Sequence, residues 1–577
     1  MKNKKLYNLI YSKKNNISFK DKNLFIGKWI NIKLLNKNKK NIEFYDHQWL
    51  SKKKQVKDFE DVKKIYVKVL KDLSINLNNY HSKKFTIRQW ELILFFFLYN
   101  YISVVYDRWN IIKSIKKNYQ LKRIQLISYN RESFVCKKST DVYDLIFSSE
   151  WNDWVVSEII KYQKLEYFTY KSFKKKNIFK RKFEKKTKKY LFRSKKNNNK
   201  FFLKDIELSR FLKLKLNVQL NQFKFFYDNP NIDNINNNIL KTRKFKKTSS
   251  RNNFVNFILK NIYEVLPQNF LENFNEIEKK ISHLNWPKNP KVIMTSYSHY
   301  NDEVFNVYTA KKINAGTKLV IFQHGHQGHH DLCGTYYEKR VCDKYITWGN
   351  RSKEKKVIPL FVSTNIGKKI IKKNPEGILL KLTEFQLIPG KSTYSPREIE
   401  GVIVYRNNLI NFLSNMGKKI RKITTVKSYD YNNENFITKE IKKNYKDVKI
   451  KKFSRLFGRG YEEAYDKKLV IETFNSTGFF ELLSMNSPVI LLTTKQLFYI
   501  KNEYKKYYEI LMKNKLIFFD PKKAAEHIKL ILPRIDEWWF EKDRQKGIKF
   551  FCDNMCKYEN DNFHQLPKIL KKIAREN

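Results

Sequence analysis

The sequence is poor in the residues that interrupt or cross-link a chain. Its 577 residues include only 12 prolines, 15 glycines and 5 cysteines. So little proline and glycine excludes a collagen-like or linker-dominated protein. Five cysteines are too few, and odd in number, for a disulfide framework, which predicts a reducing compartment. With 41% apolar and 15% aromatic residues, the chain can bury the cores of three or four domains, or of two large ones.

Long apolar runs are also missing. The longest, Leu92–Val105, is broken by Asn100 and Ser103 and is shorter than the ~20 residues that span a bilayer, so it predicts a buried helix. The N-terminal segment is basic but has neither the continuous apolar core nor the small-residue cleavage site of a signal peptide. We therefore expect a cytoplasmic protein, soluble or peripheral on the inner face of the cell membrane.

Acidic residues are scarce relative to basic ones. The chain has 118 Lys and Arg against 56 Asp and Glu, a formal net charge of +62, which attracts polyanions and anionic membrane surfaces. Half of the residues from 171 to 200 are basic. This composition favours a solvated, disordered insertion and leaves open a surface for lipid headgroups. No nucleic-acid-binding motif accompanies it, so we expect an anionic membrane surface, and no nucleic acid, as a partner.

Hydrophobic periodicity predicts an α/β fold. Apolar residues at helical spacing predict helices over 58–77 and 87–111, after an opening strand at 23–30. From about Lys291, short apolar runs alternate with helical segments, which is typical of parallel sheets with crossover helices. Further strands are predicted at 124–129, 292–298, 318–325, 344–349, 357–363, 401–406, 448–453, 468–473 and 488–493.

The strand-rich blocks divide near Asn350. They predict two Rossmann-like domains facing a cleft, with a helical N-terminal elaboration. We expect residues 1–170 to form the N-terminal part of the first domain and 201–350 its remainder. Residues 351–577 are then the second domain with C-terminal helices, and 171–200 the basic insertion.

One candidate site is the segment ETFNSTGFFE, residues 472–481, which follows a predicted strand and opens a predicted helix. Ligands of open α/β sheets bind where such loops leave the carboxyl ends of strands. Hydroxyls and unpaired backbone N–H groups at a helix N-terminus suit a phosphate, and the Glu481 carboxylate is placed to accept a ribose hydroxyl. Ordinary helix capping is the competing interpretation. The residues expected to bind the phosphate are Asn475, Ser476, Thr477 and Gly478.

A second candidate site is the segment QHGHQGHHD, residues 323–331, which also follows a predicted strand. Four of the 10 histidines fall here, beside glycines that allow close backbone approach. A histidine with a pKa near neutral can act as a general base or, when protonated, stabilise a leaving phosphate. Cys333 and Cys342 follow, but their spacing matches no zinc motif, so we expect no metal. A histidine-rich surface loop is the competing interpretation.

Several catalytic motifs are absent from the sequence. It contains no GxxxxGK[ST] phosphate loop, no HExxH, no GxSxG and no Asp-x-Asp pair. These absences argue against P-loop, zincin and α/β-hydrolase chemistry. They also leave a metal-bound nucleotide sugar of the Asp-x-Asp type unsupported.

Several segments together resemble a family of bacterial surface-carbohydrate transferases, the LIC-type transferases named from a Leptospira member. The resemblance covers nearly the whole chain except 171–200 and parts of the middle. The chain departs from the family in having His326, His329 and His330 where a glycine-rich run follows QHG, and Asn350 where an aromatic residue is expected. The segments that carry the resemblance are NLFIGKW, YDHQW, LSINLNNYH, RQWELIL, YDRWNII, QHG, EKRVCDKYITWG, FNSTGFFELLSMNSPVI and DEWW.

The resemblance implies a GT-B-like glycosyltransferase that holds a nucleotide sugar in the cleft between its domains. The nucleoside phosphate is then expected at Ser476, Thr477 and Glu481. Arg406, at the end of the predicted strand 401–406, is a candidate partner for a phosphate oxygen. A plain surface charge is the competing interpretation for Arg406.

The remaining chemistry is deprotonation of an acceptor hydroxyl. His324 is our candidate base, with Glu338 or Asp343 as its orienting or alternative partner. Gln323, Gly325 and His326 are expected to form the acceptor side of the cleft. No metal or other cofactor is expected, because a helix N-terminus and basic side chains can neutralise a leaving phosphate.

We predict a glycosyltransferase that moves a sugar from a nucleotide-sugar donor to a surface polysaccharide, glycolipid or glycoprotein glycan. A CMP-activated acidic sugar is one donor hypothesis, because a basic surface tolerates a carboxylate. The first alternative is a CDP-alcohol-type polyol-phosphate transferase, which the mass of the product distinguishes. The second is a nonenzymatic basic protein that binds membrane or nucleic acid, which predicts salt-sensitive binding without turnover.

Overall fold

The computed structural model describes most of the chain. Most of the basic insertion, and also His326, His329, His330 and Cys333, lie outside the described residues. The described residues are 6–18, 20–26, 41–45, 52–173, 198–223, 227–228, 232, 243, 245–246, 249–325, 335–368, 375–383, 399–428, 436–451, 464, 467–495, 497–558 and 562–576.

Strands and α-helices alternate along most of this part of the chain. The strands are β1 (Leu6–Ile10), β2 (Lys22–Phe25), β3 (Ile42–Phe44), β4 (Gln120–Leu121), β5 (Ile124–Tyr129), β6 (Tyr167–Phe173), β7 (Phe201–Lys204), β8 (Val292–Thr295), β9 (Lys318–Phe322), β10 (Lys344–Thr347), β11 (Val357–Pro359), β12 (Ile378–Leu382), β13 (Thr424–Ser428), β14 (Lys449–Lys451), β15 (Leu469–Glu472), β16 (Val489–Leu492) and β17 (Ile517–Phe518). The helices are α1 (Lys52–His81), α2 (Ile87–Asn118), α3 (Val142–Phe147), α4 (Ser149–Tyr162), α5 (Arg210–Gln219), α6 (Asn253–Val265), α7 (Phe274–Ser282), α8 (Ser298–Asn301), α9 (Glu303–Asn314), α10 (Tyr336–Val341), α11 (Ile399–Met416), α12 (Lys418–Lys422), α13 (Phe436–Asn444), α14 (Thr477–Ser484), α15 (Lys505–Lys513), α16 (Pro521–Ile531), α17 (Ile535–Trp539), α18 (Lys542–Met555) and α19 (Gln565–Arg575).

The first large sheet is parallel and has the strand order β11-β10-β9-β8-β7. Its successive side chains enter two different cores, as alternation along a strand requires. Ile293 and Ile321 pack into the N-terminal core, whereas Met294 and Phe322 pack into a core shared with the second sheet. Both faces are therefore covered, which explains why these strands are apolar nearly throughout.

The second large sheet is also parallel, with the order β14-β13-β12-β15-β16-β17. Counted within this sheet the order is 3-2-1-4-5-6, the order of dinucleotide-binding folds. The strand sequence reverses direction between β12 and β15. Ligands of such sheets bind outside the carboxyl ends of the strands at this switch point. The chain thus has the predicted α/β architecture of two Rossmann-like domains.

The N-terminal region adds a small parallel sheet, in the order β3-β2-β1-β4, and a pair formed by β5 and β6. Helix α2 lies inside this region. It begins with a capping box between Thr86 and Gln89, and it is buried on nearly every side because α1, α4, α9 and α10 pack around it. The interior helix predicted at 87–111 is confirmed and extends to Asn118.

The chain returns to the first domain at its C-terminal end. Leu566 and Leu570 of α19 pack into the shared core with Val292 of β8. Lys344 of β10 forms an ion pair with Glu576 at 3.2 Å. These contacts place the C-terminal helix against the first sheet. None of the described helices combines the length and apolar composition needed to cross a membrane.

One strand prediction is corrected by the structure. Residues 401–406 were expected to form a strand but belong to helix α11, because the apolar side chains Tyr405, Leu409 and Phe412 recur at helical spacing and bury one face. The strand of this region that was not predicted is β12, which has the sequence ILLKL. In addition, β11 pairs with β10, so the first sheet continues beyond Asn350.

Candidate active site

The switch point of the second sheet opens into a cavity of about 310 Å³. It lies where β12 and β15 end side by side and α14 begins. The cavity is lined by Lys381, Leu382, Thr383, Glu472, Phe474, Ser476, Thr477, Gly478 and Glu481. The predicted phosphate loop therefore lies at the position where this fold binds ligands.

A buried ion pair forms the floor of this cavity. Lys381 Nζ contacts Glu472 Oε1, and the two side chains are 2% and 3% exposed. The residues face each other in register across β12 and β15. Glu472 Oε2 also accepts a hydrogen bond from Ser476 Oγ at 3.0 Å. The sequence analysis missed Lys381, although a single lysine in the apolar strand ILLKL was a visible signal.

Positive charge continues from Lys381 along the same face of the sheet. Lys381 is paired in register with Lys427 on β13, and Lys427 is paired in register with Lys451 on β14. Burial, followed by the charges of Lys451 and Lys381, lowers the pKa of Lys427 to about 8. The strand ends thus present a row of lysines that leads away from the cavity.

Gly478 is required by the packing of α14 over the ion pair. A Cβ at this position would lie 2.7 Å from Glu472 Oε1 and 2.7 Å from Lys381 Nζ, and real Cβ atoms do not approach so closely. Ser476 occupies the N-cap position, but its hydroxyl donates to Glu472 and makes no capping bond to the helix. The Ser476 side chain therefore does not cap α14, which was the competing interpretation of this loop.

The two predicted loops meet at Gly325 and Thr477. A Cβ on Gly325 would lie 2.7 Å from Thr477 Oγ1, and Gly325 has a positive φ of 62°, a conformation that glycine adopts without strain. Gln323, which is 2% exposed, shapes this turn: its Nε2 donates to the Gly325 carbonyl at 2.9 Å, and its Oε1 accepts from the Trp348 N–H at 3.0 Å. The first domain's loop is thus placed directly against the second domain's loop.

His324 lies between aromatic rings at the carboxyl end of β9. Its ring centroid is 5.9 Å from that of Tyr297 and 5.5 Å from that of Tyr300, both edge to face. Burial lowers the pKa of His324 to about 4, and a hydrogen bond to the backbone of Ser296 opposes this shift. His324 is therefore uncharged at neutral pH, the form that accepts a proton.

Tyr300 links Glu338 to His324. The Tyr300 hydroxyl donates to Glu338 Oε1 at 2.5 Å, while the Tyr300 ring packs against His324. Buried His299, which the sequence analysis did not single out, lies against the same ring with centroids 4.2 Å apart. Burial holds its pKa well below the usual range, and protonation of His324 would lower it further. An aromatic layer thus separates the carboxylate from the histidine.

Asp343 is not brought to the histidine loop. It precedes β10, whereas His324 follows the neighbouring parallel strand β9, so the two lie at opposite edges of the sheet. Asp343 instead forms an ion pair with Arg88 at 2.7 Å and accepts the Leu319 N–H at 2.8 Å. Its role as a partner of His324 was a wrong prediction.

Arg406 is also outside the cavity. As part of α11 rather than of a strand end, it forms a two-pronged ion pair with Glu440 on α13. The guanidinium is engaged in joining two helices, so the prediction that it pairs with a phosphate oxygen is not supported by its position.

Asn475 and Glu481 flank the cavity in different ways. The Asn475 amide is buried and donates to the Tyr508 hydroxyl at 3.1 Å, which fixes the loop from behind. Glu481 lines the cavity, and burial raises the pKa of its carboxyl. Its backbone carbonyl accepts a hydrogen bond from Asn365 Nδ2 at 2.8 Å. That contact ties α14 to the segment that connects the two domains.

Metal ligands do not cluster in the described part of the chain, where no three His, Cys, Asp or Glu side chains converge. The thiols of Cys552 and Cys556 lie 3.6 Å apart at the end of α18, and Cys556 is buried in the shared core. Their position agrees with a packing role. His326, Cys333 and the remaining loop histidines fall outside the described residues.

A model described as "LIC12162 family transferase" matches residues 8–570. The chain belongs to this family. It is therefore an enzyme of the transferase class, as the resemblance of its QHG and FNSTGFF segments had indicated. No curated protein matches the chain.

Among solved structures, three that are similar to this chain come from bacteria. S. aureus MnaA, solved with UDP, is 10% identical, with a TM-score of 0.34 over 53% of this chain and 80% of that one. S. aureus TarM, in complex with Fondaparinux, α-GlcNAc-glycerol and UDP, is 12% identical, with a TM-score of 0.31 over 49% and 55%. Acinetobacter baumannii MurG is 7% identical, with a TM-score of 0.29 over 49% and 75%. At these scores the matches carry no argument about activity.

Proposed function

We propose that this LIC12162 family member is a glycosyltransferase whose donor is a nucleotide sugar held between its two domains. The observation that carries the proposal is the contact of Gly325 with Thr477. It joins the loop that holds an uncharged histidine to the loop that covers the Lys381–Glu472 pair. One loop offers a base and the other a place for a phosphate.

The donor phosphate lies at the start of α14 in this proposal. Thr477 and Gly478 line the cavity there, and the helix N-terminus carries partial positive charge. The Lys381 ammonium lies directly beneath, and the Glu481 carboxyl is placed to hydrogen-bond a ribose hydroxyl. The lysine row supports an acidic donor such as a CMP-activated sugar, since Lys427 and Lys451 can face a carboxylate.

His324 acts as the general base. Its unprotonated ring nitrogen takes the proton of an acceptor hydroxyl, and the oxygen then attacks the anomeric carbon of the donor. The bond from that carbon to the phosphate oxygen breaks, and its electron pair leaves with the nucleotide. The α14 N-terminus and Lys381 stabilise the negative charge that develops there. The products are a glycosylated acceptor and a free nucleotide.

The acceptor is a surface polysaccharide, a glycolipid or a glycoprotein glycan in this proposal. Contact with the anionic inner face of the membrane would bring the enzyme to a lipid-linked acceptor. The basic character of the chain, at a net charge of +62, supports that contact.

The test is turnover of nucleotide-sugar donors by the full chain, with products identified by mass. We expect release of one nucleotide together with a product heavier by one sugar. The variant Ser476→Ala/Thr477→Ala should lose this turnover, whereas Ser282→Ala, which removes an exposed hydroxyl at the end of α7, should keep it. A product heavier by a polyol phosphate would replace the proposal with the CDP-alcohol alternative. Turnover retained in the double variant would remove the assigned donor site.

A further inference from the structure

Helix α5 exposes large apolar side chains on the face that points away from its domain. Leu212 and Leu216 are buried in the shared core. On the outer side, Phe211 is 71% exposed, Leu214 44% and Val218 51%. These positions are spaced by three and four residues, so they share one face of the helix. Helix α5 is thus apolar on two sides, and its domain covers only one of them.

Phe223, which follows the end of α5 in the chain, is a further exposed apolar residue. It is 79% exposed, the highest value among the exposed large apolar residues of the described chain. Scattered apolar residues are normal on protein surfaces, but a contiguous exposed group marks a site of interaction. The group defined by Phe211, Leu214, Val218 and Phe223 is referred to below as the α5 face.

The charge on α5 itself is of one sign. Arg210 and Lys215 are exposed on the same helix, and Lys213 is half-buried beside them. No acidic residue occurs between Glu207 and Asp228. Apolar side chains with a basic rim match a membrane surface, where the former enter the acyl boundary and the latter meet anionic headgroups.

The loop that leads into α5 is linked to the histidine loop by hydrogen bonds. The loop from β7 to α5 is held at the carboxyl edge of the first sheet, where the Glu207 N–H donates to Ser296 Oγ at 3.1 Å. The backbone of Ser296 in turn hydrogen-bonds His324. On the other side, Leu212 packs 3.6 Å from the Cβ position of Gly367, in the segment that connects the two domains. Docking through α5 would therefore place the histidine loop near the membrane.

We propose that the α5 face docks the enzyme on an anionic membrane surface, with Phe211, Leu214, Val218 and Phe223 entering the interface and Arg210 and Lys215 contacting lipid headgroups. This inference deepens the proposed function, on which the idea of a lipid-linked acceptor rests. The docking itself requires only the surface of α5.

The test is flotation of the full chain with vesicles of phosphatidylcholine alone or mixed with phosphatidylglycerol. The wild type should float with the mixed vesicles and much less with phosphatidylcholine. Phe211→Ser/Leu214→Ser/Phe223→Ser should bind the mixed vesicles at least about tenfold more weakly, because each side chain removes a favourable transfer from water. The matched control is Leu530→Ser/Phe540→Ser, which changes residues 69% and 57% exposed elsewhere, and it should float like the wild type.

A charge variant separates the two parts of the surface. Arg210→Gln/Lys215→Gln should lose the preference for phosphatidylglycerol while it keeps the apolar face. Wild type that floats equally with both vesicles, or with neither, overturns the proposal. A triple variant that floats like the wild type also overturns the proposal. If the triple variant is a monomer in light scattering where the wild type is a dimer, the face is a subunit interface and the proposal is overturned as well.

The proposed function can fail separately. The triple variant should bind nucleotides and use a water-soluble acceptor as the wild type does, because the α5 face is outside the donor cavity. Vesicle binding by a wild type without any turnover would reject the glycosyltransferase proposal and leave the docking surface standing. Turnover without vesicle binding would reject the docking surface and leave the glycosyltransferase proposal standing.

Discussion

The loops after β9 and β15 occupy equivalent places, each at the carboxyl end of a buried parallel strand, but they are built from opposite chemistry. The β9 loop is held by the uncharged Gln323 side chain, and its histidine is bordered by tyrosine rings. The β15 loop covers an ion pair buried beneath a helix N-terminus. A base must be uncharged to accept a proton, whereas a departing phosphate requires fixed positive charge. In our account the two domains therefore divide the reaction between them.

The largest effect is expected from the uncharged loop. His324→Ala should lower turnover about 10²- to 10⁴-fold, the usual contribution of a general base. Nucleotide affinity should remain close to that of the wild type, because the donor cavity lies in the other domain. Steady-state kinetics and nucleotide titration measure the two quantities. His283→Ala, which removes an exposed histidine on the first domain, is the control. Equal loss of turnover and nucleotide affinity in His324→Ala would break the division of roles.

The charged loop should respond in the opposite way. Gly478→Ala pushes a Cβ into Lys381 and Glu472, and overpacking of this kind costs about 1–3 kcal/mol. We expect nucleotide affinity to fall about 10- to 100-fold, as measured by calorimetry. The control Gly316→Ala adds a Cβ with no neighbour within 4 Å and outside the cavity, at a positive φ of 89°, so it should lower stability but leave nucleotide affinity unchanged. Unchanged affinity in Gly478→Ala would show that the nucleotide does not use the start of α14.

The pH dependence sharpens the comparison further. Since burial lowers the pKa of His324 to about 4, turnover should hold steady through mildly acidic pH and fall only near pH 4. An ordinary histidine would lose activity near pH 6.5. The same lowered pKa means that the folded state loses stability as pH falls from about 6.5 to 4, because the unfolded chain binds the proton first. His324→Gln should remove this part of the slope in unfolding measurements. An acid limb of turnover near pH 6.5 would contradict the uncharged, buried base.

The smallest effect is expected outside both loops. Arg406→Ala breaks a partly exposed ion pair with Glu440, and such pairs contribute about 0–1 kcal/mol to stability. Nucleotide affinity should change by less than about twofold, since Arg406 lies outside the cavity. Thermal unfolding and nucleotide titration give both values. A tenfold loss of nucleotide affinity would instead indicate that Arg406 contacts the phosphate.

Much of the fold was predictable because strands buried on both faces form short apolar runs that stand out in sequence. The strands predicted from such runs are β8, β9, β10, β15 and β16. The run GVIVYR misled the prediction because six residues are too few to separate a buried strand from a helix face. The strand ILLKL was missed, and with it the lysine that lines the cavity.

The site was predictable only in part, because a local sequence pattern shows a single loop but not how two loops meet. The two loops could be recognised because each follows an apolar strand and combines glycine with polar residues. Their contact through Gly325 and Thr477 depends on how the domains pack, which no local pattern contains. Asp343 was a predicted partner of His324, but the parallel direction of β9 and β10 places it at the far edge of the sheet.

The most direct test of the central claim is ligand-observed NMR of the full chain against CMP, CDP, UDP, GDP and ADP. It is repeated on Ser476→Ala/Thr477→Ala and on the control Ser282→Ala. Our account predicts selective binding of one nucleotide by the wild type and the control, and loss of that binding in the double variant. Binding of no nucleotide by the folded protein, or the same binding in all three proteins, would contradict it.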